Sequence, residues 1–138
     1  MTPDQLLLDE TRQWVHRAMQ DLAAVGLLGH HLPAEALFHC QQAAEKFIKA
    51  YLTFRQTPFQ KTHDLKDLGT ACEDLDPTLG PALTPSFKLP QYAWRFRYPG
   101  APYEPGVEEV ELARALAQSV RDEILRRLPS EAAISSPQ

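Results

Sequence analysis

Apolar residues recur along residues 33–54 at the spacing of one long amphipathic helix. Pro33 suits the first turn of such a helix, where its missing N–H leaves no hydrogen bond unmade. The pattern predicts a core helix with a solvated polar face. The apolar stripe comprises Leu37, Cys40, Ala44, Phe47, Ile48 and Tyr51, and the polar face carries His39, Gln42, Lys46 and Lys49.

The edges of this helix predict two kinds of contact. Glu45 precedes Lys49 by four residues, the favoured orientation for a helix ion pair, which on a surface contributes about 0.3–0.5 kcal/mol. Small residues let another backbone come close, and we therefore expect a homodimer that packs through them. These small residues are Ala36, Ala43 and Ala50.

Three further segments have the helical pattern. The first begins at Thr2 and buries a stripe formed by Leu8, Thr11, Val15, Ala18, Met19 and Leu22. The second of these segments, the third helix in chain order, begins at Thr62 as its N-cap, with Asp64 in its first turn. The last extends from about residue 107 to about residue 128, where Pro129 ends it. Amphipathic helices of this kind must bury their stripes together, so we predict an all-α fold, an antiparallel up-and-down four-helix bundle.

A segment rich in proline and aromatic residues, residues 76–106, interrupts the bundle before its last helix. Its seven prolines and three glycines preclude one long helix. A helical turn near residues 77–83 and a helical stretch near residues 86–98 remain compatible with the pattern. The stretch interleaves aromatic and basic residues, which either stack bases and hold phosphates or form a lid over the bundle. These residues are Tyr92, Trp94, Arg95, Phe96, Arg97 and Tyr98.

Length and composition predict one domain, residues 1–130, followed by a flexible tail, residues 131–138. The net charge of −4 disfavours a non-specific nucleic-acid binder, although residues 38–66 are locally basic. Cys40 lies on the apolar stripe and is expected to be buried. An acidic N-terminus and the absence of a long apolar run predict a cytoplasmic protein without membrane contact. We predict no cofactor and no metal site, because His30 and His31 have no third ligand nearby in the sequence.

Four sequence elements resemble those of the HEPN family, a group of small helical proteins. They are Trp14 in the first helix, the run HCQQAAEKFIKAYL in the second, THDL at residues 62–65 and RYP at residues 97–99. The resemblance implies a helical bundle that forms a homodimer. Many HEPN proteins are ribonucleases that use an Arg and a His separated by four to six residues. Others function beside a small nucleotidyltransferase, as in toxin–antitoxin pairs, and a further set binds nucleotides without cleaving RNA.

The ribonuclease pattern is missing here, because no histidine follows His63 and the candidate arginines are Arg95 and Arg97. We therefore predict a module that binds a nucleotide, RNA or a nucleotidyltransferase partner and has no intrinsic catalysis. The alternatives are a metal-independent ribonuclease with a variant site, which would use a histidine from elsewhere in the fold, and a dimeric scaffold. The candidate phosphate- or nucleotide-binding residues are Lys46, Lys49, His63, Arg95, Arg97 and Tyr98.

Arg97 is expected at the centre of any anion site. Pro99 disfavours helical angles at Tyr98, so the chain is expected to turn there and to present Arg97 from a fixed bend. A guanidinium in that position binds a phosphate through two parallel hydrogen bonds. The alternative is a structural role, in which Arg97 pairs with an acidic group such as Glu45.

Overall fold

The chain packs around its second helix. A computed structural model describes residues 1–59, 64–95, 99–100 and 104–133, and every regular element within these residues is helical. No helix among them is both long enough and apolar enough to cross a membrane. The α-helices are α1 (Pro3–Leu28), α2 (Pro33–Phe54), α3 (Leu65–Leu75), α4 (Leu79–Leu83), α5 (Leu89–Arg95) and α6 (Val107–Leu125), with 3₁₀ turns at Thr84–Lys88 and Ser130–Ala133.

Helix α2 has the bounds that the sequence predicts and forms the centre of the core. Helices α1, α3, α5 and α6 all contact it. Phe47 and Ile48 are fully buried, as the apolar stripe predicts. Cys40 is buried as well, and desolvation raises the pKa of its thiol to about 12. The thiol therefore stays protonated at neutral pH and packs as a small apolar side chain.

The small residues of α2 are used inside the chain. Ala36, Ala43 and Ala50 are fully buried by neighbouring helices of the same molecule. Small side chains allow those helices to approach the α2 backbone closely. The prediction that this edge is open to a second copy of the chain is therefore wrong, and any dimer must use another surface.

Helix α1 begins as predicted but buries a somewhat different face. The Thr2 hydroxyl accepts a hydrogen bond from the Gln5 backbone N–H, and the Gln5 side-chain oxygen accepts one from the Thr2 backbone N–H. Met19, predicted to face inward, is 40% exposed, while Asp21 is buried. The apolar periodicity misplaces this part of the stripe because Asp21 has polar partners on α2.

The third helix begins later than predicted. Its N-cap is Asp64, whose side chain accepts hydrogen bonds from the backbone N–H groups of Lys66 and Asp67, so Thr62 is not the cap. Residues 60–63 lie outside the described part of the chain. The 3₁₀ turn at Thr84–Lys88 packs against α3. A Cβ added at Gly69 of α3 would lie 2.5 Å from the Phe87 ring of this turn. Glycine at residue 69 therefore permits this close contact.

The proline-rich segment contains helical pieces near the predicted places, α4 and α5 joined by the 3₁₀ turn at Thr84–Lys88. The last helix, α6, ends at Leu125, three residues before the predicted end. The sequence predicts a tail from residue 131, but Arg12 Nε donates a 2.8 Å hydrogen bond to the Glu131 carbonyl, and Ala132 is buried. Residues 131–133 thus belong to the packed part of the chain.

Arg127 joins the end of α6 to the link between α3 and α4. Its Nε donates to Asp76 Oδ2 over 3.0 Å, and its two terminal nitrogens donate to Glu123 Oε2 over 2.9 Å and to Thr78 Oγ1 over 2.8 Å. The Thr78 hydroxyl, together with further hydrogen bonds, lowers the pKa of Asp76. The hydrogen bond from Arg127 lowers the pKa of Glu123. The folded chain therefore favours the ionised form of both carboxyls.

We predict that Arg127→Gln weakens the fold chiefly at neutral pH. A lowered carboxyl pKa contributes stability that is complete above the unfolded pKa of about 4 and is lost as the pH falls through the folded pKa. The difference in Tm between the wild type and Arg127→Gln should therefore shrink between about pH 5 and pH 2. Thermal melts across this range test it, with Arg121→Gln as the control, since Arg121 bonds only its neighbour Asp122 among the described residues. A Tm difference that is independent of pH would contradict the prediction.

Candidate functional site

Half of the predicted site residues fall on described parts of the chain. Lys46 and Lys49 lie on α2, and Arg95 is the last residue of α5, which packs on α2. His63, Arg97 and Tyr98 lie outside the described residues. The geometry of the predicted site is therefore that of the two lysines and of the end of α5.

Lys49 is buried rather than solvated. It is 7% exposed, and its ammonium lies 3.2 Å from Glu45 Oε2. The same nitrogen lies 5.5 Å from the centroid of the Trp14 ring and 5.6 Å from that of the Phe59 ring, which are cation–π distances. The prediction of a solvated polar face is wrong at Lys49, because α1 and the segment after α2 cover it. A charge in this position holds structure together and is poorly placed to bind a phosphate.

The run of glutamines before this pair extends it into a hydrogen-bonded chain. Gln42 Nε2 donates to Gln41 Oε1 over 2.9 Å, and Gln41 Nε2 donates to Glu45 Oε1 over 3.3 Å. Gln41 and Glu45 are themselves buried. Among the described residues, no fully buried side-chain nitrogen or oxygen lacks a partner. The QQAAEK run therefore has a structural role, the satisfaction of polar groups beside the core.

Lys46 is held by a second cluster, between α1 and α2. Its ammonium donates to Asp21 Oδ2 over 2.6 Å, and His39 Nδ1 lies 2.8 Å from the other oxygen, Asp21 Oδ1. Because an ionised carboxylate only accepts hydrogen bonds, Nδ1 of His39 carries the proton, and Nε2 is the remaining nitrogen. Lys46 is thus engaged, whereas the sequence predicts a solvated side chain.

The end of α5 presents an aromatic and a basic side chain to solvent. Trp94 is 54% exposed, and Arg95, beside it in the chain, is also exposed. Leu89 and Ala93 of the same helix are buried and fix α5 on the body of the protein. Of the three described candidates, Arg95 is the one that the fold leaves accessible on a rigid element.

A groove between α1 and α2 was not predicted from the sequence. It has a volume of about 250 Å³, and Trp14 is one of the residues that line it. Glu10, Gln13, Trp14 and Arg17 lie on one face of α1, and their spacing of three, one and three residues is visible in the sequence. The fifth residue, Thr53, comes from α2. The groove is lined by Glu10, Gln13, Trp14, Arg17 and Thr53.

A larger cavity, of about 640 Å³, adjoins the link between α1 and α2 and is lined in part by His30, His31 and Glu104. His30 Nε2 lies 3.0 Å from Glu111 Oε1 of α6. Within the described ranges, no group of three or more His, Cys, Asp or Glu side chains converges as a metal site would require.

The comparisons with known proteins give one match. A family model described as "HEPN domain" matches residues 11–128. No curated protein and no solved structure matches the chain. The matched range includes α1 from Thr11, all of α2 to α6, the two polar clusters described above and the residues of the groove except Glu10.

We predict that Lys49→Met destabilises the protein by about 3 kcal/mol, because removal of one partner of a buried ion pair leaves a carboxylate in a poorly solvated place. Methionine nearly keeps the volume, so the loss reports the charge. The control Lys66→Met changes an exposed lysine and should shift the stability by less than about 0.5 kcal/mol. Urea denaturation measures both. Equal stabilities would mean that the Glu45–Lys49 pair contributes nothing to the fold.

Proposed function

Since the chain belongs to the HEPN domain family, we propose that it is a nucleotide- or RNA-binding module without intrinsic catalysis. HEPN domains are associated with nucleotide- and RNA-related functions and with ribonuclease-like modules. The observation that supports binding most directly is the exposed Trp94–Arg95 pair at the end of α5. An indole stacks on any base, and a guanidinium contacts a phosphate through two hydrogen bonds.

The internal use of Lys46 and Lys49 supports this choice of surface. The buried ammonium of Lys49 is paired with Glu45, and the partly buried ammonium of Lys46 is paired with Asp21. A phosphate would have to displace those carboxylates before it could bind either lysine. We assign the ligand contact to Arg95 because this residue is exposed at the end of α5, with His63, Arg97 and Tyr98 as further candidates that adjoin it in the chain or in the family pattern.

A metal-independent ribonuclease is the second candidate function, and the Asp21–His39 pair favours it. A carboxylate that holds Nδ1–H of an imidazole orients the ring and leaves Nε2 to accept or donate a proton. The His39 side chain is 30% exposed, so a substrate hydroxyl can approach it. An arginine at the required spacing is nevertheless missing from the chain around His39, which places this candidate second.

We further propose a cytoplasmic homodimer in which α1, α2, α3 and α6 form the antiparallel four-helix bundle. Contacts between Asp21 and His39 and between Trp14 and Lys49 support the opposite directions of α1 and α2. A nucleotidyltransferase partner, as in a toxin–antitoxin pair, is the family-level alternative to a nucleic-acid ligand. Co-purification from the native host, with mass spectrometry of bound protein and nucleotide, would distinguish the two.

Exposed apolar side chains near the His30–Glu111 contact supply a surface for the dimer. Leu27 is 86% exposed at the end of α1, and Leu32 lies exposed in the link to α2. Val107 and Leu112, on the same stretch of α6 as Glu111, are exposed as well. Large apolar residues grouped in this way are typical of interaction surfaces.

Binding is tested with a short, labelled single-stranded RNA in a fluorescence polarisation titration at low salt. We predict that Trp94→Ala weakens the affinity roughly tenfold, because base stacking contributes about 1–3 kcal/mol per base. Arg95→Gln should weaken it as well and should reduce its salt dependence. Arg121→Gln, the same change on α6, should have no effect. Unchanged affinity in both α5 variants would contradict the assignment of this surface.

The same RNA also tests the absence of catalysis. Without added metal, the wild type should leave it intact, and His39→Ala should behave identically. Cleavage by the wild type that disappears in His39→Ala would replace the binding function with the ribonuclease.

The dimer is tested by sedimentation velocity at micromolar concentration, where we predict about twice the chain mass of 15.6 kDa. Leu27→Glu should shift the protein toward the monomer, because it places charges in the proposed apolar interface. Leu6→Glu, at an exposed leucine near the start of α1, serves as the control. A wild-type protein that remains monomeric throughout would contradict the proposed dimer.

A further inference from the structure

The groove beside Trp14 has the size and the side chains of a site for one nucleotide. Glu10, Gln13, Trp14 and Arg17 form a single face of α1 about 10 Å long. The volume of about 250 Å³ lies below the range of roughly 300–1,000 Å³ for drug-sized ligands, which suits one base and its sugar. We propose that this groove binds a single nucleotide, with its base stacked on Trp14 and its phosphate bound by Arg17.

The Trp14 ring is fixed by the packing around it. Lys49 lies over the ring at 5.5 Å, and the Phe59 ring meets it edge to face with a centroid distance of 6.1 Å. Stacking on a ring that is already immobile costs little further entropy. The indole N–H has no hydrogen-bond partner in the described part of the chain, yet no fully buried polar side-chain atom there is unpaired. The indole N–H therefore reaches solvent and can donate to a ligand.

Arg17 is a cation on the edge of the groove, exposed and unpaired among the described residues. Neither Arg17 nor Glu10 makes a hydrogen bond or ion pair with any described residue, whereas Arg12 and Arg127 are both engaged by the fold. A guanidinium binds a phosphate with two parallel hydrogen bonds and loses no internal partner here. Nothing in the described fold requires a cation at residue 17.

The remaining groups of the groove match the other parts of a nucleotide. The Glu10 carboxylate only accepts hydrogen bonds, which suits the two hydroxyls of a ribose. Gln13 Nε2 already donates to Asp9 over 2.8 Å, so its carbonyl oxygen is left to accept from a base amine. Glu10 would repel the successive phosphates of a strand. This charge favours a mononucleotide over a continuous RNA.

This inference rests on the proposed function, because it names a second place where the same class of ligand binds. The test uses adenosine monophosphate and adenosine as probes. Trp94→Phe leaves Trp14 as the single tryptophan, and adenosine monophosphate should quench its fluorescence in a saturable way. Arg17→Gln in that background should raise the Kd for the nucleotide at least tenfold while the Kd for adenosine stays within twofold. Arg121→Gln is the matched control and should leave both Kd values unchanged.

Trp14→Phe, checked for folding by thermal melts, reports on the other tryptophan. Quenching confined to this variant and abolished by Arg95→Gln would overturn the groove site and leave the proposed function standing. An equal loss of adenosine and nucleotide binding in Arg17→Gln would overturn the phosphate contact. No binding of the nucleotide by the wild type would overturn the groove site. If the short RNA also fails to bind, the proposed function fails with it.

Discussion

The ion pair between Glu45 and Lys49 is the constraint on which the rest of the structure depends. Both side chains are buried on the central helix, where a charge is tolerated only with a close partner and further polar contacts. Gln41 supplies one such contact to Glu45, and the rings of Trp14 and Phe59 supply cation–π contacts to Lys49. This ion pair on α2 thus positions the first helix and the segment that follows α2.

This constraint limits where the proposed ligand would bind. A lysine that holds the core together cannot also hold a phosphate, and Lys46 is committed to Asp21 in the same way. We therefore propose that recognition uses exposed side chains that stand on helices at the edge of the packed core. Arg17 beside Trp14 and Arg95 beside Trp94 both meet this condition, each an arginine next to an indole.

The sequence predicted the features that depend on one helix at a time. The bounds of α2 and the burial of Phe47 follow from periodicity and from the helix-ending signals around them. The burial of Lys49 could not be predicted, because its cover comes from Trp14, 35 positions earlier in the chain. The polar stripe of a helix has the same pattern whether water or another polar helix faces it.

In the candidate site, too, features of one helix could be predicted and contacts between helices could not. Arg95 and Trp94 were visible as an aromatic and basic pair in the sequence, and the fold places them on the surface. The groove requires Thr53 from α2 opposite the face of α1, and no single-helix pattern indicates that juxtaposition. The sequence predicts Thr62 as the cap of α3, whereas the cap is Asp64, because the start of this helix also depends on where the chain returns to the bundle.

Native-state hydrogen exchange tests the central role of α2 most directly. If the Glu45–Lys49 pair and its contacts anchor the fold, the amides of residues 41–52 should exchange only when the whole molecule unfolds. Their exchange free energies should then fall with denaturant at the slope of global unfolding, while those of α3 and α5 reach smaller values. Exchange of the α2 amides through local openings that are insensitive to denaturant would contradict this account.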